Sequence, residues 1–220
     1  MAGFAVLLGL LIAVVLPLAA IYLTCRWLFA KWVEAGRDRP ARRAAILSTG
    51  VLTVLSPYLL FKAYDLYFLL SRVPAPLNAL WVEYRLEKSW GIGLPGDNET
   101  GFVVYRLTGG SADWARKQGS GLGAALFPNK GAQWHPTPVN DDDPNRGWHG
   151  NHSDKQSNAG RPTILKYLDQ YGFSIPVEKG RDAEANDAIQ HPGSFYSYGR
   201  GGSVTIVDPK RGKVYFAYAG

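Results

Sequence analysis

Residues 140–154 read NDDDPNRGWHGNHSD, three consecutive aspartates followed by two histidines three positions apart and a further aspartate. His149 and His152, with Asp154 or Asp143, would supply two imidazoles and a carboxylate, the donor set with which zinc keeps one position open for water. Such a site would make the protein a metal-dependent hydrolase acting on an envelope substrate. Against it, histidines at i and i+3 converge on one ion when a helix fixes them, and Gly150 and Asn151 disfavour a helix. The single cysteine, Cys25, is far from the segment in sequence, and no HExxH arrangement places a general base. The segment also fails as a calcium loop. Asp141, Asp143 and Asn145 fit the first three ligand positions, but Arg146 stands at the glycine position and His152 at the bidentate acid position. The expectation is a solvated loop without a cofactor, with zinc as the alternative.

Other motifs are weaker. GIGLPG at 91–96 has the glycine spacing of a dinucleotide fingerprint, yet it leads into another strand-like run and not into a helix whose N-terminus could take a pyrophosphate. No G-x-S-x-G is present, so a serine hydrolase of the α/β type has no support. Aromatic residues with arginine are the usual material of binding hot spots. Trp148, Tyr196 and Tyr198, with Arg200 and the basic pair Lys210 and Arg211, are the residues such a surface would use.

These residues must be positioned by a chain whose two halves differ. Met1 to Cys25 carries no charged side chain, longer than the ~20 residues that cross a hydrocarbon core. A second uncharged run, 44–61, continues through Lys62 and Asp65 to about Leu70. Both read as transmembrane helices, with residues 1–72 forming a hairpin. The loop between them, 26–43, holds six basic residues against Glu34 and Asp38, so the positive-inside rule puts it in the cytoplasm and both termini outside. The expected location is a bacterial inner membrane, multi-pass, with the C-terminal domain periplasmic and the lipid bilayer as one partner. The formal charge of +6 fits this topology. Residues 1–72 hold 8 basic and 3 acidic side chains, leaving 16 against 15 for the rest, so no nucleic-acid partner is expected.

Residues 74–220 read as an α+β domain, a small antiparallel sheet with two or three helices on one side. VEYRLE alternates Val82, Tyr84 and Leu86 with Glu83, Arg85 and Glu87, the period of a half-buried strand, and GFVVYRLT at 101–108 reads as its hairpin partner. Ser111 and Gly119 bracket a short helix, Pro162 and Gly172 a second, and GRDAEANDAIQHPG offers a third. SVTIVDPKRGKVYFAYA places two strand-like runs around a turn with Gly212 left-handed. Between about 119 and 161 lies a long polar loop. The layout resembles that of membrane-held immunity proteins or accessory subunits of envelope machines. The reading is therefore a non-enzymatic periplasmic binding domain with a protein partner.

Overall fold

The computed structural model describes positions 19, 22–27, 29, 30, 33, 39–89, 99–126, 133–139, 148, 161–199 and 201–220. The chain divides into two compact units, Met1–Leu69 and Leu70–Gly220.

In the first unit the described element is helix α1, Arg39–Leu70, with Pro57 inside it. Its uncharged stretch between Arg43 and Lys62 is 18 residues, about 27 Å of helix, short of a ~30 Å hydrocarbon core. Ser48, Thr49, Thr53, Ser56 and Pro57 dilute that stretch further. Among the described residues no helix is long and apolar enough to cross a membrane. The expectation of two N-terminal transmembrane helices, and of a membrane-anchored protein, is corrected on this finding. Most of the expected first span lies outside the described residues. The orientation read from the basic loop presupposed both spans.

The second unit is built on one six-stranded sheet: β1 (Ala79–Ser89), β2 (Glu99–Leu107), β3 (His135–Pro136), β4 (Phe195–Tyr198), β5 (Ser203–Asp208) and β6 (Lys213–Ala219). The order is β1-β2-β6-β5-β4-β3, and every neighbouring pair is antiparallel. The last strand of the chain therefore lies in the middle of the sheet. The β5–β6 hairpin forms as the sequence suggests, with Gly212 at φ 62°. Helices α2 (Gly109–Gln118) and α3 (Leu122–Ala125) follow β2, while α4 (Ile164–Leu168) and α5 (Arg181–Gln190) follow β3.

The expected small sheet with helices on one side is also corrected, because both faces are covered. Alternate residues of a strand point to opposite faces. On the first face Phe102, Val104, Tyr215, Ala217, Val204, Ile206 and Tyr196 pack with α4 and α5 through Ile164, Tyr167, Leu168, Ala185 and Ile189. On the second, Val103, Tyr105, Val214, Val207 and Phe195 pack with Ala112, Ala115, Leu122 and Leu126. Strands buried on both sides read as continuous apolar runs, as GFVVYRL and KVYFAYA do. Thr108 caps α2, its hydroxyl accepting from the Ser111 N–H, where Ser111 itself was the expected cap. Thr163 caps α4 in the same way through the Lys166 N–H.

Strand β1 does not keep its simple alternation. A register shift between Val82 and Tyr84 inserts an extra residue, a β-bulge. Val82 packs on the second face, but Tyr84 and Leu86 pack on the first. Glu83 is thereby re-aimed inward, and Arg85 and Glu87 are carried to the second face.

Gly101 of β2 solves a crowding problem there. It faces both Glu87 and Tyr218 across the sheet, and a Cβ at 101 would overlap the Tyr218 ring. Without one, the ring lies across β2 and its hydroxyl donates to Glu87 Oε1 at 2.8 Å. We expect Gly101→Ala to destabilise the protein by about 1–3 kcal/mol and to be near neutral in a Tyr218→Ala background, a coupling read from urea midpoints of the four proteins.

Candidate functional site

The most concentrated chemistry among the described residues is a charged row at one end of the first sheet face. Arg106 is paired with Lys213 across β2 and β6, and Lys213 with Asp208 across β6 and β5. The bulge adds Glu83 at the β1 end. Over this row lies α5, presenting Arg181, Glu184 and Asp187 at helical spacing. The charges answer one another in order. Arg181 meets Glu83 at 2.5 Å, Glu184 meets Lys213 at 2.6 Å and Asp187 meets Arg211 at 2.5 Å. Lys213 also donates to Glu83 Oε1 at 3.0 Å, and Arg211 to Asp208 at 2.8 Å.

Burial sets the strength of this network. Lys213 is 5% exposed at its side chain and Glu83 16%, so their attraction is screened far less than that of surface pairs. Burial by itself would raise the Glu83 carboxyl. Hydrogen bonds from Lys213 and Arg181 and the charges of Lys213 and Arg106 outweigh it and hold the group below its ordinary range. Glu83 Oε2 lies 3.3 Å from Arg106 Nε but makes no hydrogen bond among the described residues. The Tyr215 hydroxyl is likewise buried without such a partner. Burial, then the charges of Asp208 and Glu184, push it well above the usual phenol value.

A second network sits on the other face. Arg72 donates to Glu87 at 2.9 Å and lies over the rings of Phe216 and Tyr218, 5.0 and 5.3 Å from their centroids. Arg85 joins Glu87 along the strand. Against the raising effect of burial, hydrogen bonds from Arg72, Tyr218 and Arg85 lower the Glu87 carboxyl. Tyr105, buried beside this group, is pushed up to about 12, chiefly by desolvation.

The residues singled out by sequence fare differently. His149, His152, Asp154 and Asp143, the zinc candidates, lie outside the described residues, as does Arg200. Among the described residues no group of three or more His, Cys, Asp or Glu side chains is arranged to hold a metal. Trp148 and Tyr196 are buried in the first-face core and Tyr198 packs against it. The three are brought together. Trp148 Nε1–H donates to the Tyr198 hydroxyl at 2.5 Å, and the Tyr196 and Tyr198 rings meet edge-on at 5.6 Å. Trp148 also packs on Tyr167 at 4.9 Å. Trp148 and Tyr196 are core material, and Tyr198 lines that core from a half-buried position. Lys210 and Arg211 stand at the other end of β5, where Lys210 is exposed and Arg211 is held by Asp208 and Asp187.

Sequence reasoning missed the network that Glu83, Arg181, Glu184 and Lys213 form. Glu83 and Lys213 are 130 positions apart, and the even alternation of VEYRLE pointed Glu83 to solvent. The one local signal was Asp208 and Lys213 flanking the turn as an opposite-charge cross-strand pair.

No protein-family model, curated protein or solved structure matches this chain.

Truncating Trp148 to alanine should cost about 3–5 kcal/mol of unfolding free energy, and Trp148→Phe, which keeps a ring but loses the donor to Tyr198, about 1–2 kcal/mol, both measured by urea denaturation. Glu83→Gln should cost on the order of 3 kcal/mol at neutral pH, because Arg181 and the buried Lys213 lose their shared carboxylate. Glu83 and Glu87 titrate lower in the folded chain than at their ordinary 4.5. The unfolded state therefore binds more protons in the intervening range, and their stabilisation is complete above about pH 4.5 and lost as the pH falls through the folded values. Between about pH 6 and about pH 3 the urea midpoint of Glu83→Gln should fall less than that of the unsubstituted protein.

Proposed function

We propose that the 70–220 unit is a non-enzymatic domain that binds a protein partner, in the manner of an immunity protein or an accessory subunit of a larger assembly. The observation that carries this reading is the state of its buried and half-buried ionisable groups. Glu83, Glu87, Asp208 and Lys213 each face groups of opposite charge. Glu83 and Glu87, held below their ordinary range by the cations around them, are weak general bases, because those interactions must be broken for either to take a proton. These groups join strands and a helix, which is a structural use of charge.

Exposed aromatics on ordered elements support the same reading. Trp81 is 52% exposed at the start of β1, beside Leu80, and Tyr171 is 57% exposed just after α4, near Leu165. Large rigid side chains of this kind supply contact area at low entropic cost.

The test is a photoreactive amino acid placed at Trp81 or Tyr171 of the full chain in the cells that produce it, with the buried position Ile189 as control. A discrete adduct containing a different polypeptide, from at least one exposed position and not from the control, is the expected result. The reading falls if the purified protein carries stoichiometric zinc that His149→Ala removes and that a hydrolytic activity requires.

A further inference from the structure

Strand β1 is an edge. Among the described residues it pairs with β2 alone, whereas the opposite edge of the sheet is the two-residue β3, which contains Pro136. An edge strand presents a row of outward backbone N–H and C=O groups that a further strand can satisfy. The two register shifts of β1 lie between Ala79 and Trp81 and between Val82 and Tyr84, so Tyr84–Ser89 is a regular stretch. Charged side chains usually guard such edges against pairing. Here their order does the reverse.

We propose that β1 pairs with β1 of a second copy of this chain, antiparallel and about a twofold axis through Leu86. The argument is charge complementarity. Turning the strand end over end about Leu86 sets Arg85 opposite the second copy's Glu87, and Glu87 opposite its Arg85. Both residues lie on the second sheet face, where Arg85 already meets Glu87 within the strand. The pairing closes a square of four charges with unlike signs on every side and like signs only on the diagonals. On the first face Leu86 meets its own copy, and Tyr84 meets Lys88, an aromatic ring against an ammonium. Moving the axis by one residue to Arg85 would set that arginine against itself, so the charges select one register. The interface is isologous, the same patch contributed twice, and it extends the six-stranded sheet into a continuous one across the axis. A foreign strand would need this complementary pattern by coincidence, whereas a second copy carries it by construction.

The decisive experiment uses the full chain and measures mass in solution. The unsubstituted protein is expected at twice the chain mass at micromolar concentration. Arg85→Glu opposes two acids and Glu87→Arg opposes two bases, so each variant alone should run at the single-chain mass. An equimolar mixture of the two restores unlike pairs at both contacts and should return to the doubled mass. No rearrangement within one chain can produce that rescue. A single-chain mass for the unsubstituted protein, a doubled mass for either variant alone, or two folded variants that stay apart on mixing would each overturn the proposal.

Should a charge variant fail to fold, the register is read by disulfide trapping in a Cys25→Ser background. Directly opposed Cα atoms lie roughly 4.5–5.5 Å apart, within the span of a disulfide. Leu86→Cys should therefore cross-link to its own copy under mild oxidation. Lys88→Cys should not, because its copy would sit four residues along, roughly 13 Å away. Cross-linking at 88 without 86, or at neither, overturns the pairing.

Discussion

A buried ammonium cannot be left alone. Lys213, at the start of the central strand β6 and almost wholly out of solvent, loses hydration that only opposite charge can replace. Glu83 and Glu184 provide that charge, one from the edge strand and the other from helix α5. Because each carboxylate must arrive at a fixed point, the position of β1, the register of β6 and the seating of α5 are set together. Arg181 and Arg211 extend the same rule along the helix, giving α5 a single alignment on a sheet whose apolar contacts alone would tolerate sliding. Breaking one partner of such a network costs more than the network contributes over an apolar substitute, since it strands a charge in the interior. Its value is in specifying one arrangement of the layers.

The bulge in β1 makes this arrangement possible. A regular strand would send Glu83 and Tyr84 to opposite faces. One extra residue turns Glu83 towards Lys213 while Tyr84 still packs on Phe102, and it delivers Arg85 and Glu87 to the other face, where Arg72 and Tyr218 receive them. Gly101 is the counterpart on β2, the absence of a side chain allowing Tyr218 to reach across to Glu87. Two local irregularities thus divide the acidic and basic residues of one short strand between two networks. Among the described residues, what this leaves without a strand partner is the outer edge of β1.

How much of this was legible depends on the range of the interaction. The β5–β6 hairpin could be read because its turn residues, Pro209 to Gly212, act over four positions. The ends of α2 and α5 could be read because a left-handed glycine and a following proline act locally, although the cap of α2 proved to be Thr108. Tyr196 and Tyr198 could be recognised as strand residues but not assigned to a surface or a core, since an aromatic ring serves either. The uncharged run at 44–61 had the composition of a span, and the charges and polar residues around it leave the helix short of one. Within the polar stretch Trp148 gave no signal of its burial: it stands among glycine, aspartate and asparagine, and nothing near it in sequence announces Tyr167 and Tyr198 as neighbours.

By itself, the sequence determined what is decided within a few residues: the strands with their apolar runs, the helix ends and turns, and the near balance of charge beyond residue 72. The tertiary structure alone decided the strand order, which places the last strand in the middle, the coverage of both sheet faces, and the pairing of Glu83 with Lys213. The physical reason is that backbone preference and periodicity are properties of neighbouring positions, whereas the cost of burying a charge is paid only when distant segments close over it. No local pattern in VEYRLE records where Lys213 will be.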